Sequence, residues 1–245
     1  MDKVVYTSMG GAKASLRAQG INSHNLANLN TTGFRAHLTA SEQAPMAGGL
    51  ARVNVVRGRE TFDTGNGAMM VTNRDLDVAL AGPGWLAVED ARGNEGYTRA
   101  GDLRINEFGE LKNTAGQFVL GEGGRITLPP YDSVTIASTG EISIIPRGQT
   151  ADAATVVGRL KLVNPDALTM QRGVDGLFRL RDGGVAPSDP EVRLQSGALE
   201  NSNVNGAEVL VNMIELARNF EMQMRTIRAV EENGRSAQNL LSING

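Results

Sequence analysis

Cysteine is absent from this chain of 245 residues, which excludes disulfides, thiolate nucleophiles and zinc sites built on sulfur. The chain has only two histidines, His24 and His37, and neither has a second ligand at a metal-binding spacing. No apolar run approaches the roughly 18 residues of a membrane-spanning helix, and the first residues lack the continuous apolar stretch of a cleaved secretory signal. We therefore expect no metal, no cofactor and no membrane insertion.

Catalytic motifs are missing as well, since the chain has neither a Gly-x-Ser-x-Gly elbow nor a phosphate-binding loop. The glycines at 121, 123 and 124 follow a candidate strand but do not lead into a helix, so we predict a hairpin turn there. The acidic pairs Asp75/Asp77 and Glu231/Glu232 are interpreted as surface charges. The sequence argues against an enzyme.

Aromatic residues are scarce, and seven of the ten lie between residues 61 and 190. Compact cores depend on large side chains, so this distribution places the globular part in the middle of the chain. Basic residues exceed acidic ones only in residues 1–60, by seven to three and without a basic block. This pattern does not indicate a nucleic-acid partner.

The middle of the chain consists of short β-type runs separated by glycine-rich turns, with no helical pattern between them. The candidate strands are 76–80, 85–88, 116–120, 134–137, 142–145, 158–163 and 177–180. This spacing predicts a central antiparallel all-β domain over residues 76–190. The Ala/Gly/Ser-rich residues before it predict an extended connector over 36–75.

The C-terminal end has a strong helical pattern, with Asn205 as a candidate N-cap three residues before Glu208. We predict a helix over residues 205–242. Alternating steps of three and four define an apolar seam. Its six members are Leu210, Met213, Ala217, Phe220, Met224 and Ile227. Continuing this seam to Val230 requires an extra step of three, which is a stammer.

The N-terminal end repeats the alternation at Val5, Met9, Ala12 and Leu16. Glycines weaken this helix by on the order of 1 kcal/mol each, so we expect it to need a packing partner. The predicted fold class is therefore α+β, with long N- and C-terminal helices paired as a coiled coil and with a central antiparallel all-β domain. The predicted segments are an N-terminal helix with an Asn-rich turn, an extended connector, a β domain, and a connector with the C-terminal helix. Their bounds are 1–35, 36–75, 76–190 and 191–245.

Several motifs along the chain together resemble the bacterial flagellar rod and hook protein family. They are Asn22-Ser-His-Asn-Leu-Ala-Asn28, Asn30-Thr-Thr-Gly-Phe-Arg35, Asp75-Leu-Asp-Val78, Gly82-Pro-Gly-Trp85, Gly197-Ala-Leu-Glu-Asn-Ser-Asn-Val204, Val211-Asn-Met-Ile-Glu215 and Phe220-Glu221. Within the family, the short β domain and the ending over 231–242 resemble a proximal-rod component more than the distal rod protein or the hook protein.

The resemblance implies a structural subunit that polymerises through its terminal helices into a torque-transmitting shaft. Its implied partners are copies of itself, other rod subunits and the flagellar type III export apparatus. Its implied location is the basal-body rod across the periplasm, reached without a cleaved signal peptide. The expected assembly interface is Val5, Met9, Ala12, Leu16, Asn22, Asn25, Leu26, Asn28, Gly33, Phe34, Leu210, Met213, Ala217, Phe220, Met224 and Ile227.

Three alternatives remain open from the sequence. One is a monomeric β-rich binding module whose helices pack on its own β domain. Another is a different axial rod or hook subunit, such as the distal rod protein. The third is a polysaccharide-cleaving enzyme of the periplasm, which only the β-rich middle suggests.

Overall fold

A computed structural model describes residues 2–39, 42–45, 53–56 and 60–243, and these residues form two compact units. The helical unit comprises Met1–Leu29, Ala36–Asp63 and Val204–Gly245. The β unit comprises Asn30–Arg35 and Thr64–Asn203. The predicted α+β class is confirmed. The structure divides the chain at other positions than the predicted segments, because residues 30–35 join the β unit and residues 36–75 are shared between the units.

The helical unit contains two long helices and four short strands. The elements are α1 (Asp2–Ala27), β1 (His37–Thr39), β2 (Glu42–Pro45), β3 (Val53–Val56), β4 (Glu60–Phe62) and α2 (Gly206–Ile243). Strand β1 pairs antiparallel with β4, and β2 pairs antiparallel with β3. The predicted connector over 36–75 therefore contains paired strands in its described parts.

Helix α2 begins where its cap was predicted. The side-chain Oδ1 of Asn205 accepts hydrogen bonds from the backbone N–H groups of Ala207 at 3.2 Å and Glu208 at 3.4 Å. These bonds satisfy donors that the first turn of a helix leaves without partners. Over its 38 residues α2 spans about 57 Å at about 1.5 Å per residue.

The two helices pack against each other in opposite directions. A Cβ built on Gly11 would lie 3.1 Å from Cδ of Gln223, and one built on Gly206 would lie 3.1 Å from Cδ2 of Leu29. The start of α1 therefore lies beside the later part of α2, and the residues just after α1 lie beside the start of α2. Glycine at position 11 permits this close approach because it has no side chain of its own.

The β unit is built from sixteen strands, all paired antiparallel. They are β5 (Met69–Val71), β6 (Val78–Ala81), β7 (Trp85–Glu89), β8 (Glu95–Thr98), β9 (Leu103–Ile105), β10 (Leu111–Asn113), β11 (Phe118–Gly121), β12 (Gly124–Arg125), β13 (Tyr131–Ile136), β14 (Glu141–Pro146), β15 (Thr155–Arg159), β16 (Leu162–Val163), β17 (Met170–Arg172), β18 (Phe178–Leu180), β19 (Arg193–Ser196) and β20 (Ala198–Glu200). Two short 3₁₀ helices, Ala151–Ala153 and Ala167–Thr169, connect some of them.

The largest sheet has the order β17-β18-β8-β7-β11-β10-β9, with β12 on β11 and β16 on β7. Three smaller sheets are β13-β14-β15, β19-β6 and β20-β5. Each of the seven predicted strands overlaps an observed strand, although the stretch 158–163 is divided between β15 and β16. The predicted hairpin turn is confirmed, because Gly121 of β11 pairs with Gly124 of β12.

The prediction missed the short strands β5, β8, β9, β10, β17, β19 and β20. Strand β8 reads Glu-Gly-Tyr-Thr and β20 reads Ala-Leu-Glu, so neither shows the clean apolar and polar alternation that identifies a half-buried strand. Their partners in the sheets, rather than their own sequences, make them strands.

The core of the β unit is aliphatic, as the scarcity of aromatic residues requires. Its eighteen buried residues are Val78, Leu80, Leu86, Val88, Leu103, Leu111, Val119, Ile126, Leu128, Val134, Ile136, Ile142, Ile144, Leu160, Leu162, Leu177, Val192 and Leu194. Trp85, the only tryptophan of the chain, is buried with its ring centroid 4.5 Å from that of Phe178. Its fluorescence therefore reports on the folding of the β unit.

The interpretation of Asp77 as a surface charge is wrong. Its side chain is buried, with one carboxylate oxygen 3.3 Å from Nη1 of the half-exposed Arg74. The backbone explains the burial: the N–H of Asp77 donates to the carbonyl of Arg74, and its carbonyl accepts from the N–H of Gly197. These backbone bonds hold Asp77 between two chain segments, although its carboxylate would be better solvated at the surface.

Asp90 gives the β unit a pH-dependent contribution to stability. Burial raises the pKa of its carboxyl, but the backbone N–H groups of Arg92 and Asn94, at 2.8 and 2.9 Å, and the Arg179 guanidinium, at 2.8 Å, bind the charged form. Together these donors lower the pKa from 3.8 to about 2. The stabilisation is complete above the unfolded pKa and is lost as the pH falls through the folded value.

We expect the D90N substitution to lower the free energy of unfolding by about 1–2 kcal/mol near neutral pH. The difference from the wild type should shrink between about pH 4 and pH 2, because the wild-type carboxyl then takes up a proton. Denaturant titrations followed by Trp85 fluorescence measure both values. D75N, at an exposed aspartate, is the control, and an unchanged difference at low pH would contradict the assignment.

Candidate assembly surfaces and the buried charge cluster

Glu200 is the centre of a buried charge cluster in the β unit. Its side chain is fully buried, and its Oε1 lies 2.8 Å from Nη1 of Arg35 and accepts the backbone N–H of Gly67 at 2.8 Å. Its Oε2 accepts Nε–H of Arg99 at 2.7 Å. Both arginines are buried too. A carboxylate removed from water requires such donors, because an isolated buried charge costs several kcal/mol.

Arg99 also binds the turn between β6 and β7. Its Nη1 donates to the carbonyl oxygen of Gly84 at 3.1 Å, and its Nη2 donates to that of Gly82 at 2.8 Å. Both glycines have positive φ, +103° at Gly82 and +136° at Gly84, a conformation that L residues rarely adopt. The turn therefore presents two carbonyl oxygens to one guanidinium group.

The segment 30–35 adds Arg35 to this cluster and is held by its backbone. The N–H of Gly33 donates to the carbonyl oxygen of Glu200 at 2.7 Å, and the carbonyl of Phe34 accepts from the N–H of Asn203 at 3.2 Å. Phe34 is buried, and the Arg172 guanidinium lies 4.4 Å from the centroid of its ring. Burial lowers the pKa of Arg172 from its ordinary value.

Three motifs that are far apart in sequence thus meet at Glu200. They are the segment 30–35, the turn 82–85 and the segment beginning at Gly197. Among the expected interface residues, Gly33 and Phe34 lie in this cluster, inside the β unit. Glu200, Arg35 and Arg99 were not predicted as site residues. Arg35 and Glu200 did lie within the quoted motifs. A charged residue among small and apolar neighbours was the available signal that these two side chains are buried.

The helical unit supplies a second candidate surface, where α1 and α2 face each other. On each helix, a series of buried and half-buried positions recurs in alternating steps of three and four. On α1 this core series is Val5, Ser8, Ala12, Ser15, Gln19, Asn22 and Leu26, and on α2 it is Val209, Met213, Leu216, Phe220, Gln223, Ile227, Val230 and Gly234. The series on α2 reaches Val230 without a stammer.

The predicted seams share every second position with this series and differ from it by one position at the others. Val5, Ala12, Met213, Phe220 and Ile227 belong to the core series, whereas Met9, Leu16 and Leu210 are exposed. Ala217 and Met224 are half-buried beside the series. Sequence reasoning chose the large apolar residues, but the facing surfaces of the two helices also use serine, alanine and glutamine.

The predicted asparagines lie at the end of α1. Asn25 is buried, and its side-chain amide donates to the carbonyl of His37 at 2.9 Å and accepts its N–H at 2.8 Å. Asn28 donates to the carbonyl of His24 at 2.8 Å, at the end of the helix. Asn22 lines a groove together with residues of α2 and β1, and Leu26 is half-buried. These bonds hold β1 beside α1.

In the described part of the chain, no group of three or more His, Asp or Glu side chains could hold a metal ion. Neither of the described long helices is apolar enough over a sufficient length to cross a membrane. The imidazole rings of His24 and His37 are in contact, with centroids 5.0 Å apart and planes tilted by 39°.

Three protein-family descriptions match separate parts of the sequence. The family "Flagella basal body rod protein" matches residues 5–35, "Flagellar hook protein FlgE/F/G D1 domain" matches residues 79–144, and "Flagellar basal body rod FlgEFG protein C-terminal" matches residues 195–240. The first match includes Arg35 and the third includes Glu200, so both ends of the chain carry family signatures that meet in the charge cluster.

Individual relatives resemble the chain over its whole length. The flagellar basal-body rod protein FlgF of Salmonella typhimurium is 44% identical, covering 99% of this chain and 100% of the relative. FlgF of Escherichia coli is 43% identical with the same coverage. The rod protein FlgG of Bacillus subtilis is 29% identical, covering 95% of this chain and 96% of the relative.

Proposed function

The chain belongs to the FlgF family of flagellar basal-body rod proteins, and on that premise we propose how it assembles into the rod. It is a structural subunit of the proximal rod and not an enzyme. Its full-length relatives are flagellar basal-body rod proteins. It assembles with other rod subunits. The binding-module and polysaccharide-cleaving alternatives are not favoured, because the full-length relatives are rod proteins. Another axial subunit is not favoured either, because the FlgF relatives are more similar to this chain than the FlgG protein of Bacillus subtilis is.

We propose that α1 and α2 form an antiparallel coiled coil in which each member of the α1 core series faces one of the α2 core series. The approaches of Gly11 to Gln223 and of Leu29 to Gly206 support this alignment. A repeat of seven residues on both helices is the pattern that keeps two helices in contact along their length. Small side chains on α1 bring the axes close together.

We further propose that this coiled coil gains its rigidity from assembly. The α1 core series contains Ser8, Ser15, Gln19 and Asn22, which bury little apolar surface, and glycines at 10, 11 and 20 weaken the helix. Contacts with neighbouring subunits then supply the missing stabilisation, and repeated contacts let the rod transmit torque. The charge cluster keeps each β unit in one conformation under that load.

Transport is the third part of the proposal: the chain reaches the rod through the flagellar type III export apparatus, without a cleaved signal peptide and without membrane insertion. Residues 2–27 form α1, which packs on α2, so this segment is used in the folded protein. Its alternation of small, polar and apolar residues is unlike a secretory signal. Location in the basal-body rod across the periplasm follows from this route.

The A12E substitution tests the role of the helix pair. Ala12 is buried in the core series next to Gly11, where the Gln223 side chain of α2 packs closely, so a glutamate at position 12 should separate the helices. In cells that lack the native protein, the wild-type chain should restore motility and A12E should not. Trp85 fluorescence of the purified variant should stay unchanged, because the β unit is intact.

The matched control is A229E, the same substitution at an exposed position of α2, which should restore motility. Motile A12E cells would contradict the need for close helix pairing. Failure of the wild-type chain to restore motility would contradict the proposed rod function itself.

A further inference from the structure

The segment 30–35 connects the two units of the chain. It belongs to the β unit, but helix α1 precedes it and Ala36–Asp63 of the helical unit follows it. The backbone passes between the units at four places, after residues 29, 35, 63 and 203, and two of these four are the ends of this segment. A force on α1 that follows the backbone therefore enters the β unit through the segment 30–35.

Arg172 of β17 binds this segment at the edge of the largest sheet. Its Nη1 donates to the carbonyl oxygen of Arg35 at 3.3 Å, and its guanidinium lies 4.4 Å from the centroid of the Phe34 ring. Arg172 pairs with Phe178 of β18, whose ring centroid is 5.6 Å from the same guanidinium. Phe178 in turn contacts Trp85 of the inner strand β7. One guanidinium thus joins the segment to aromatic rings that belong to the sheet.

These contacts require the shape of an arginine. A planar guanidinium can lie over a ring face and still donate hydrogen bonds, whereas a lysine ammonium is a point charge without a plane. No carboxylate of the described residues lies within ion-pair distance of Arg172, although this side chain is half-buried. Charge pairing therefore does not account for a cation at this position, and its contacts with the segment 30–35 do.

We propose that Arg172 is a positioning residue that transfers mechanical load from α1 into the largest sheet by fixing the end of the segment 30–35. This inference rests on the proposed function, because a rod subunit carries torque. The Glu200 cluster holds the Arg35 side chain, whereas Arg172 holds the Arg35 carbonyl and the Phe34 ring. The cluster keeps the β unit folded without Arg172, and Arg172 keeps the end of the segment in place under load.

Hydrogen exchange of the purified full-length chain measures this local role directly. R172K keeps the positive charge but loses the plane, so the amide hydrogens of Phe34 and Asn203 should exchange about tenfold faster. Both belong to bonds of the segment, since Phe34 donates to Thr31 and Asn203 donates to the Phe34 carbonyl. The amide of the buried Val119 should exchange at the wild-type rate. Equal acceleration at Val119, or no acceleration at Phe34, would overturn the proposal.

Motility under load measures the consequence, in cells that lack the native protein. R172K cells should swim like wild-type cells in ordinary medium, and most of them should stop in medium thickened with an inert polymer. The control is R181K, which makes the same change on the same hairpin, at an exposed arginine whose Nε donates to the carbonyl of Met170 at 3.0 Å. R181K cells should swim like wild-type cells in both media.

The outcomes separate this proposal from the rod function. Equal swimming of R172K and R181K in the thick medium would overturn the load path, and so would an equal loss by R172K in both media, which indicates a failure of folding or assembly. F34L, which keeps an apolar side chain but removes the ring, provides a second variant and should show the same sensitivity to load. Failure of the wild-type chain to restore swimming in ordinary medium would instead contradict the rod function.

Discussion

Replacing Glu200 with glutamine is expected to lower the free energy of unfolding of the β unit by about 3–5 kcal/mol. Arg35 and Arg99 would stay buried without the carboxylate that compensates their charges. The NH₂ group of the glutamine would also face the guanidinium groups and the backbone N–H that donate to Glu200, so donors would face donors. Denaturant titration followed by Trp85 fluorescence measures the loss, and motility should be lost with it.

The control for this variant is E107Q, which makes the same change at an exposed glutamate in a turn of the β unit. It should shift the free energy of unfolding by no more than about 0.5 kcal/mol. A loss below about 1 kcal/mol for E200Q, the range of exposed ion pairs, would show that the cluster does not depend on its carboxylate.

The G33A substitution is expected to cost about 3 kcal/mol or more and to abolish motility. Gly33 has φ of +66°, and a Cβ there would lie 2.3 Å from the carbonyl carbon of Arg99 and 2.4 Å from the amide nitrogen of Ala100. Both atoms belong to the backbone, so the contact cannot be relieved by rotation of a side chain. The segment 30–35 would have to move off, which would remove Arg35 from Glu200.

Gly116 offers a matched control, because its φ of +84° is equally unfavourable for alanine but a Cβ there would meet no atom within 4 Å. G116A should cost only about 1–2 kcal/mol. The difference between the two variants isolates the steric contact from the backbone conformation. Equal losses would contradict the tight packing of Gly33 against the backbone of Arg99 and Ala100.

The class of the fold and the bounds of α2 could be predicted because their signals are local. Asn205, the apolar repeat and the absence of proline specify the helix in consecutive residues. The frame of the repeat could not be predicted in the same way. Large apolar side chains at 9, 16 and 210 suggested the seam, but these three are exposed, and the series of buried and half-buried positions runs through Ser8, Ser15 and Val209.

The charge cluster could not be predicted from neighbouring residues, because its members are far apart in the sequence. Arg99 and Glu200 are separated by 101 positions, and no periodicity connects residues at that distance. Strand β20, which carries Glu200, is only three residues long and has no alternation. The family motifs did mark the segments concerned, since glycines 33, 82, 84 and 197 have the positive φ that specific turns demand.

The position of Glu200 near the end of the chain has a consequence for the order of folding. A polypeptide delivered from its N-terminus presents both arginines long before the carboxylate that neutralises them. Closure of the β unit must then wait until about four-fifths of the sequence has emerged, because contacts between distant residues form last. The β unit of a chain that emerges from its N-terminus therefore cannot close until Glu200 is available to pair with Arg35 and Arg99.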